Sequence, residues 1–83
     1  MKLMVFAVRD EKASAFMNPL YYNMRGEAHR DFGDAVNNDK TPFFKHPSDY
    51  SLFHIGFYDQ ATGILESVRT PELICVGSDF REA

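Results

Sequence analysis

Eighty-three residues with eight Phe, four Tyr, no Trp, one Cys and a net charge of −3 describe one small domain with a thin core. A lone cysteine excludes an intrachain disulfide and fits a reducing compartment, and the acidic balance weighs against a protein that holds nucleic acid by bulk charge alone. Cys75 with His29, His46 and His54 lacks the paired spacings of a structural zinc site, so neither a metal nor another cofactor is expected.

Residues 1–9, MKLMVFAVR, begin like a signal peptide, but the apolar run is short and no small-residue cleavage site follows, so they read as a first strand. Leu3, Val5 and Ala7 fall on one face and Met4, Phe6 and Val8 on the other, the pattern of a central strand covered on both sides. Asp10-Glu11-Lys12 is a turn, and residues 13–17 return as a short second strand that Asn18-Pro19 ends. Leu20-Tyr21-Tyr22 reads as a connector. Asn23 is placed to cap a helix over residues 24–37, where Met24, Ala28, Phe32, Ala35 and Val36 trace one apolar stripe and Glu27, Asp31 and Asp34 turn away from it. Gly33 inside that helix implies a close approach to the sheet, and Asn37-Asn38 suits a left-handed cap.

A long loop, residues 39–49, carries Pro42, Phe43, Phe44 and Pro47. Residues 50–58 form the clearest strand, with Phe53, Ile55 and Phe57 on one face and Leu52, His54, Gly56 and Tyr58 on the other. Asp59-Gln60-Ala61-Thr62-Gly63 then turns the chain into residues 64–68, with Gly63 free to adopt a positive φ. Arg69-Thr70-Pro71 reads as a further turn, residues 73–76 as a last strand and residues 77–83 as a frayed polar tail. The expected architecture is α+β: a single domain over residues 1–83, ordered ββαβββ, with an antiparallel sheet of four to five strands and one helix on one face. One helix cannot hide two strands that are apolar on both sides. The sheet must curl, the long loop must fold over it, or a second copy must cover it; a homodimer is the favoured expectation.

No residue set meets the requirements of catalysis: Cys75 sits in an apolar strand, Asp31 and Asp34 read as a solvated helix face, and no glycine-rich phosphate loop is present. Binding remains. Basic and aromatic residues interleave over residues 21–25 and 40–46. In a single-stranded DNA binder Tyr21, Tyr22, Phe43 and Phe44 would stack bases while Lys12, Arg25, Arg30, Lys40 and Lys45 met phosphates. The favoured alternative for Phe43 and Phe44 is that they pin the loop to the core.

The blocks Phe6-Ala7-Val8-Arg9-Asp10-Glu11-Lys12-Ala13, Glu27-Ala28-His29-Arg30-Asp31-Phe32-Gly33-Asp34-Ala35-Val36-Asn37 and His46-Pro47-Ser48-Asp49-Tyr50-Ser51-Leu52-Phe53-His54-Ile55-Gly56-Phe57-Tyr58-Asp59, closed by Thr62-Gly63, resemble the small nonstructural protein of microviruses, above all the gokushovirus branch. The resemblance covers about residues 3–68. It implies a non-enzymatic protein made in the cytoplasm of an infected bacterium, described in that family as DNA-binding and likened to the switch from genome replication to packaging of single-stranded DNA. It brings no catalytic residues. The competing expectation is an adaptor that contacts a host or viral replication or capsid protein, which the acidic charge and the acidic helix face suit. No membrane span is expected.

Overall fold

Strand β1 (Lys2–Asp10) runs through the middle of the sheet, and its residues Val5, Phe6, Ala7 and Val8 are all buried, as a strand apolar on both faces requires. The computed structural model describes residues 1–81. β1 is followed by β2 (Ala15–Phe16), β3 (Leu20–Tyr22), helix α1 (Arg25–Val36), β4 (Tyr50–Asp59) and β5 (Ile64–Val76), with 3-10 turns at Pro47–Asp49 and Gly77–Phe80. All pairings are antiparallel in the order β2-β1-β4-β5, and β3 shares with β2 the edge of β1 that faces away from β4. The protein is therefore α+β, with one helix on one face of a strongly curled antiparallel sheet.

Local departures from the sequence reading have physical causes. The expected connector at residues 20–22 is a strand, because Leu20, Tyr21 and Tyr22 find Phe6, Val5 and Met4 as ladder partners. The expected turn at Arg69-Thr70-Pro71 is a bulge inside β5: His54 pairs with Glu72 and Gly56 with Ser67, so residues 68–71 stand against Ile55 alone. Ile55 is also unpaired towards β1, where Val5 meets Gly56 and Phe6 meets His54. That extra residue breaks the strict alternation expected of β4. Phe53 stays opposite Ala7 on the outer face, but Phe57 lies opposite Met4 and turns to the helix side, where its ring sits 4.9 Å from that of His54.

Helix α1 is capped by Met24, not Asn23, and the Met24 amide donates to Glu27 Oε1 at 3.1 Å. At its other end Asn37 has φ −90°, outside the left-handed region, and Thr41 Oγ1 donates to the carbonyl oxygen of Ala35. The apolar stripe is realised by Ala28, Phe32 and Val36, while Met24 is exposed. With Phe6 and Val8 of β1, Leu52 of β4 and Cys75 of β5 they form the core. Gly33 is required by the chain end, not by the sheet: a Cβ there would lie 2.6 Å from the Phe80 ring. Residues 77–81, expected to fray, are held in place. Phe80 packs edge-on to Phe32, and Arg81 donates to the carbonyls of Phe44 at 2.8 Å and Val36 at 3.3 Å. The rest of the expected tail, residues 82–83, lies outside the described residues.

Candidate functional site

Among the described residues, four of the nine Lys and Arg side chains are engaged in intramolecular contacts. Lys2 pairs with Glu66 at 3.1 Å, Arg9 with Glu11 at 3.2 Å and Arg25 with Glu72 at 2.7 Å, and Arg81 is committed to backbone carbonyls and to the Phe44 ring, 4.3 Å below its guanidinium. Of the residues expected to meet phosphates, Arg25 thus ties the start of α1 to β5. Lys12 in the β1–β2 turn, Arg30 on α1, and Lys40 and Lys45 in the loop after α1 are exposed, on three separate elements.

The aromatic candidates divide among three environments. Tyr21 and Tyr22 are neighbours on β3 and so point to opposite faces of the sheet. Tyr22 packs edge-on to Phe6 on the helix side, whereas Tyr21 meets Tyr58 on the outer side. Phe43 anchors the loop, with its ring 5.5 Å from Phe32 and 4.8 Å from Tyr50. Phe44 lies under Arg81. Tyr22 and Phe43 are the two candidates that share a cavity.

That cavity is a groove of about 310 Å³ on the helix side, between α1, β3 and the long loop. Val8, Ala28, Phe32 and Leu52 form its apolar floor, and Met17, just after β2, and Leu20, at the start of β3, form an exposed lip. Asp31 stands on the wall. The Tyr22 hydroxyl faces Asp31, and its pKa is raised, first by burial and then by the negative charges of Asp31 and Glu27. Among the described residues Glu27, Asp31 and Asp34 have no cation within ion-pair distance. The groove therefore offers apolar surface beside unneutralised acid. The sequence reading placed Met17 at the end of a strand and Leu20 in a connector; two large apolar residues astride Asn18-Pro19, in a segment too short to bury them, were the available signal.

The outer face is different. Register places Val5 and Ala7 beside Tyr21, Tyr58 and Phe53, with Phe16 edge-on to Phe53 at 5.4 Å, and no helix lies over them. A cleft of about 280 Å³ opens between Tyr21 and β5, floored by Val5 and Gly56. A Cβ on Gly56 would collide with the carbonyl oxygen of Glu66, so glycine permits the closeness of β4 and β5 beneath the cleft.

Two groups with chemical potential are locked into structure. His54 is buried between Phe6 and Phe57, and its Nε2–H donates to the Gly56 carbonyl at 2.9 Å, which bridges the bulge at Ile55. Cys75 is buried in the core, and desolvation, with the negative charge of Asp79, pushes its thiol up to about 11. Among the described residues no three His, Cys, Asp or Glu side chains converge as a metal site requires, and no helix is long and apolar enough to cross a membrane.

Compared with known proteins, residues 3–80 match the family model described as Phage ORF5 protein. No curated protein and no solved structure matches the chain.

Proposed function

Since this chain belongs to the Phage ORF5 protein family and is a phage accessory protein, we propose that it acts without catalysis, as an adaptor in genome replication or packaging of a microvirus of the gokushovirus branch. It works in the cytoplasm of the host bacterium, and its partner is a host or phage protein with a basic and aliphatic docking segment. The observation that carries this reading is the helix-side groove: an apolar floor for aliphatic side chains, with Asp31 on the wall and Glu27 and Asp34 on the same helix to attract lysine or arginine. Met17→Glu and Leu20→Glu on the lip test it. Tagged wild-type protein from infected cells, treated with nuclease, captures a partner that both variants lose. Capture that vanishes with nuclease, or that survives both substitutions, removes the reading.

Direct binding of single-stranded DNA is the second reading. The microvirus resemblance favours it, as does the placement of Tyr22 and Phe43 in one groove with Lys40 and Lys45 in the adjoining loop. Binding of labelled single-stranded DNA would then weaken steeply with salt, by a slope of about 0.7 per neutralised phosphate. The acid on the groove wall opposes this, and the Asp31→Asn variant should strengthen DNA binding if the reading is right and leave it unchanged if phosphates never approach.

A further inference from the structure

We propose that the outer face of the sheet is a homodimer interface, in which two copies of this chain pack face to face about a two-fold axis. It rests on a surface separate from the adaptor groove and stands or falls independently of it.

The first ground is charge. Residues directly opposite one another in an antiparallel sheet share a face. Reading outward from β1 through the register, that face carries Leu3, Val5, Ala7 and Arg9, then Ser51, Phe53, Gly56 and Tyr58 of β4. Leu65, Ser67, Leu73 and Val76 of β5 complete it on one side, Tyr21 and Phe16 on the other. Arg9 is the one charged side chain among these paired positions, and Glu11 already neutralises it while Phe16 lies beneath it at 5.4 Å; at the margin of the face stand Glu66, which pairs with Lys2, and the exposed Arg69 in the bulge of residues 68–71. Nucleic acid would require cations here, and a basic or acidic protein would require opposite charge. A face whose paired positions carry one charge, already neutralised within the chain, is complementary to itself.

The second ground is shape. The cleft over Val5 and Gly56 lies two ladder rungs from Leu73, which is 54 % exposed, across the bulge of residues 68–71, and Leu65, 61 % exposed, forms part of its wall. A hole and a projecting aliphatic side chain adjacent on one surface are what an isologous contact uses, because a two-fold axis between them seats each projection in the other copy's hole.

The third ground is size. Ordinary strand spacings give this face roughly 20 Å along β1 and about 15 Å across four strands. With side-chain relief that corresponds to an accessible area on the order of 600 Å², somewhat below the ~800 Å² per partner of a standard interface and enough for a dimer that dissociates on dilution.

Light scattering on the full chain, from micromolar to several hundred micromolar, tests the proposal. The wild type is expected to approach twice 9.5 kDa as concentration rises. Leu73→Glu and Leu65→Glu are expected to halve that mass at the top concentration without altering the circular dichroism spectrum, since both side chains face solvent in the isolated chain. Met17→Glu, on the opposite side of the sheet, is expected to keep the dimer. A wild type that stays monomeric throughout overturns the proposal, and so does a dimer that both leucine variants retain or that Met17→Glu dissociates. Loss of single-stranded DNA binding by Leu73→Glu in a protein already monomeric would assign the face to nucleic acid instead. A dimer that captures no other protein leaves this inference intact and removes the adaptor reading.

Discussion

On the helix side of the sheet, Phe6, Val8 and Leu52 are sealed by Ala28, Phe32 and Val36, and the chain end closes over them through Phe80 and Arg81. On the outer side, Val5 and Ala7 are 3 % and 1 % exposed although no helix covers them. Their burial comes from within the sheet: small residues on β1 sit low between Tyr21, Tyr58, Phe53 and Phe16, which lean over them. The same strands thus solve one problem in two ways, by adding a layer and by surrounding small side chains with large ones. The second solution moves the exposed apolar surface outward onto the aromatics and onto Leu65 and Leu73. A covering layer removes greasy surface from water, and a canopy only relocates it.

Truncation of one ring on each face measures that difference most directly. Phe32→Ala opens a cavity under α1 next to Phe43 and Phe80, and should cost about 3–5 kcal/mol in urea unfolding. Phe53→Ala, on the half-buried canopy, should cost no more than about half as much in dilute protein, because water already reaches that ring. Equal losses from the two substitutions would mean that the outer face is as enclosed as the core. Between the faces lies Gly56. Gly56→Ala drives a Cβ into the Glu66 carbonyl, a backbone atom that cannot rotate away, and should cost about 3 kcal/mol, at the upper end for overpacking. A neutral Gly56→Ala would show that β4 and β5 separate easily.

How much of this was legible in the sequence follows from the range of the interactions involved. The period-two pattern of residues 3–8, the stripe Ala28-Phe32-Val36 and the positive φ of Gly63 are set by local stereochemistry, and all were readable. The bulge at Ile55 was not. It lies where residues 68–71 of the next strand stand opposite one residue and where the register with β1 also shifts, and no local rule in residues 50–59 announces that. The sequence likewise put Phe57 on the wrong face, gave Gly33 the wrong neighbour and treated residues 77–81 as loose: each of these three depends on a partner more than twenty residues away. The candidate site fared similarly. Tyr22 and Phe43 could be nominated from composition, but whether Tyr21 joined them depended on β3 being a strand, which sends alternate residues to opposite faces.

The bulge offers a smaller probe of how the two faces are kept in register. His54 is the polar residue that bridges it, donating to Gly56 from a site walled by Phe6 and Phe57. His54→Leu keeps an apolar side chain between those rings and removes the donor. The expected cost is about 1–2 kcal/mol, the usual net worth of a buried hydrogen bond with some loss of fit. Hydrogen exchange should locate it at residues 54–57 and not along β1. Uniform loss of protection would mean that the histidine supports the whole sheet rather than its bulge.

A last effect is visible only in alkali, and it reports on the covered face alone. The Cys75 thiol ionises near 9.0 in an unfolded chain and near 11 in the core, because burial disfavours the thiolate and Asp79 opposes it. Unfolding therefore releases a proton between those two values. The contribution to stability is fully present below pH 9.0, declines as pH rises, and is exhausted by about pH 11. Cys75→Ala loses packing at every pH but lacks this decline. The gap between wild type and variant in urea midpoint should accordingly narrow from pH 8 to pH 10.5, while tyrosine ionisation, common to both proteins, cancels in the comparison. A gap that stays constant over that range would mean that water reaches Cys75, and that the layer formed by α1 and the chain end is no better a seal than the aromatic canopy opposite.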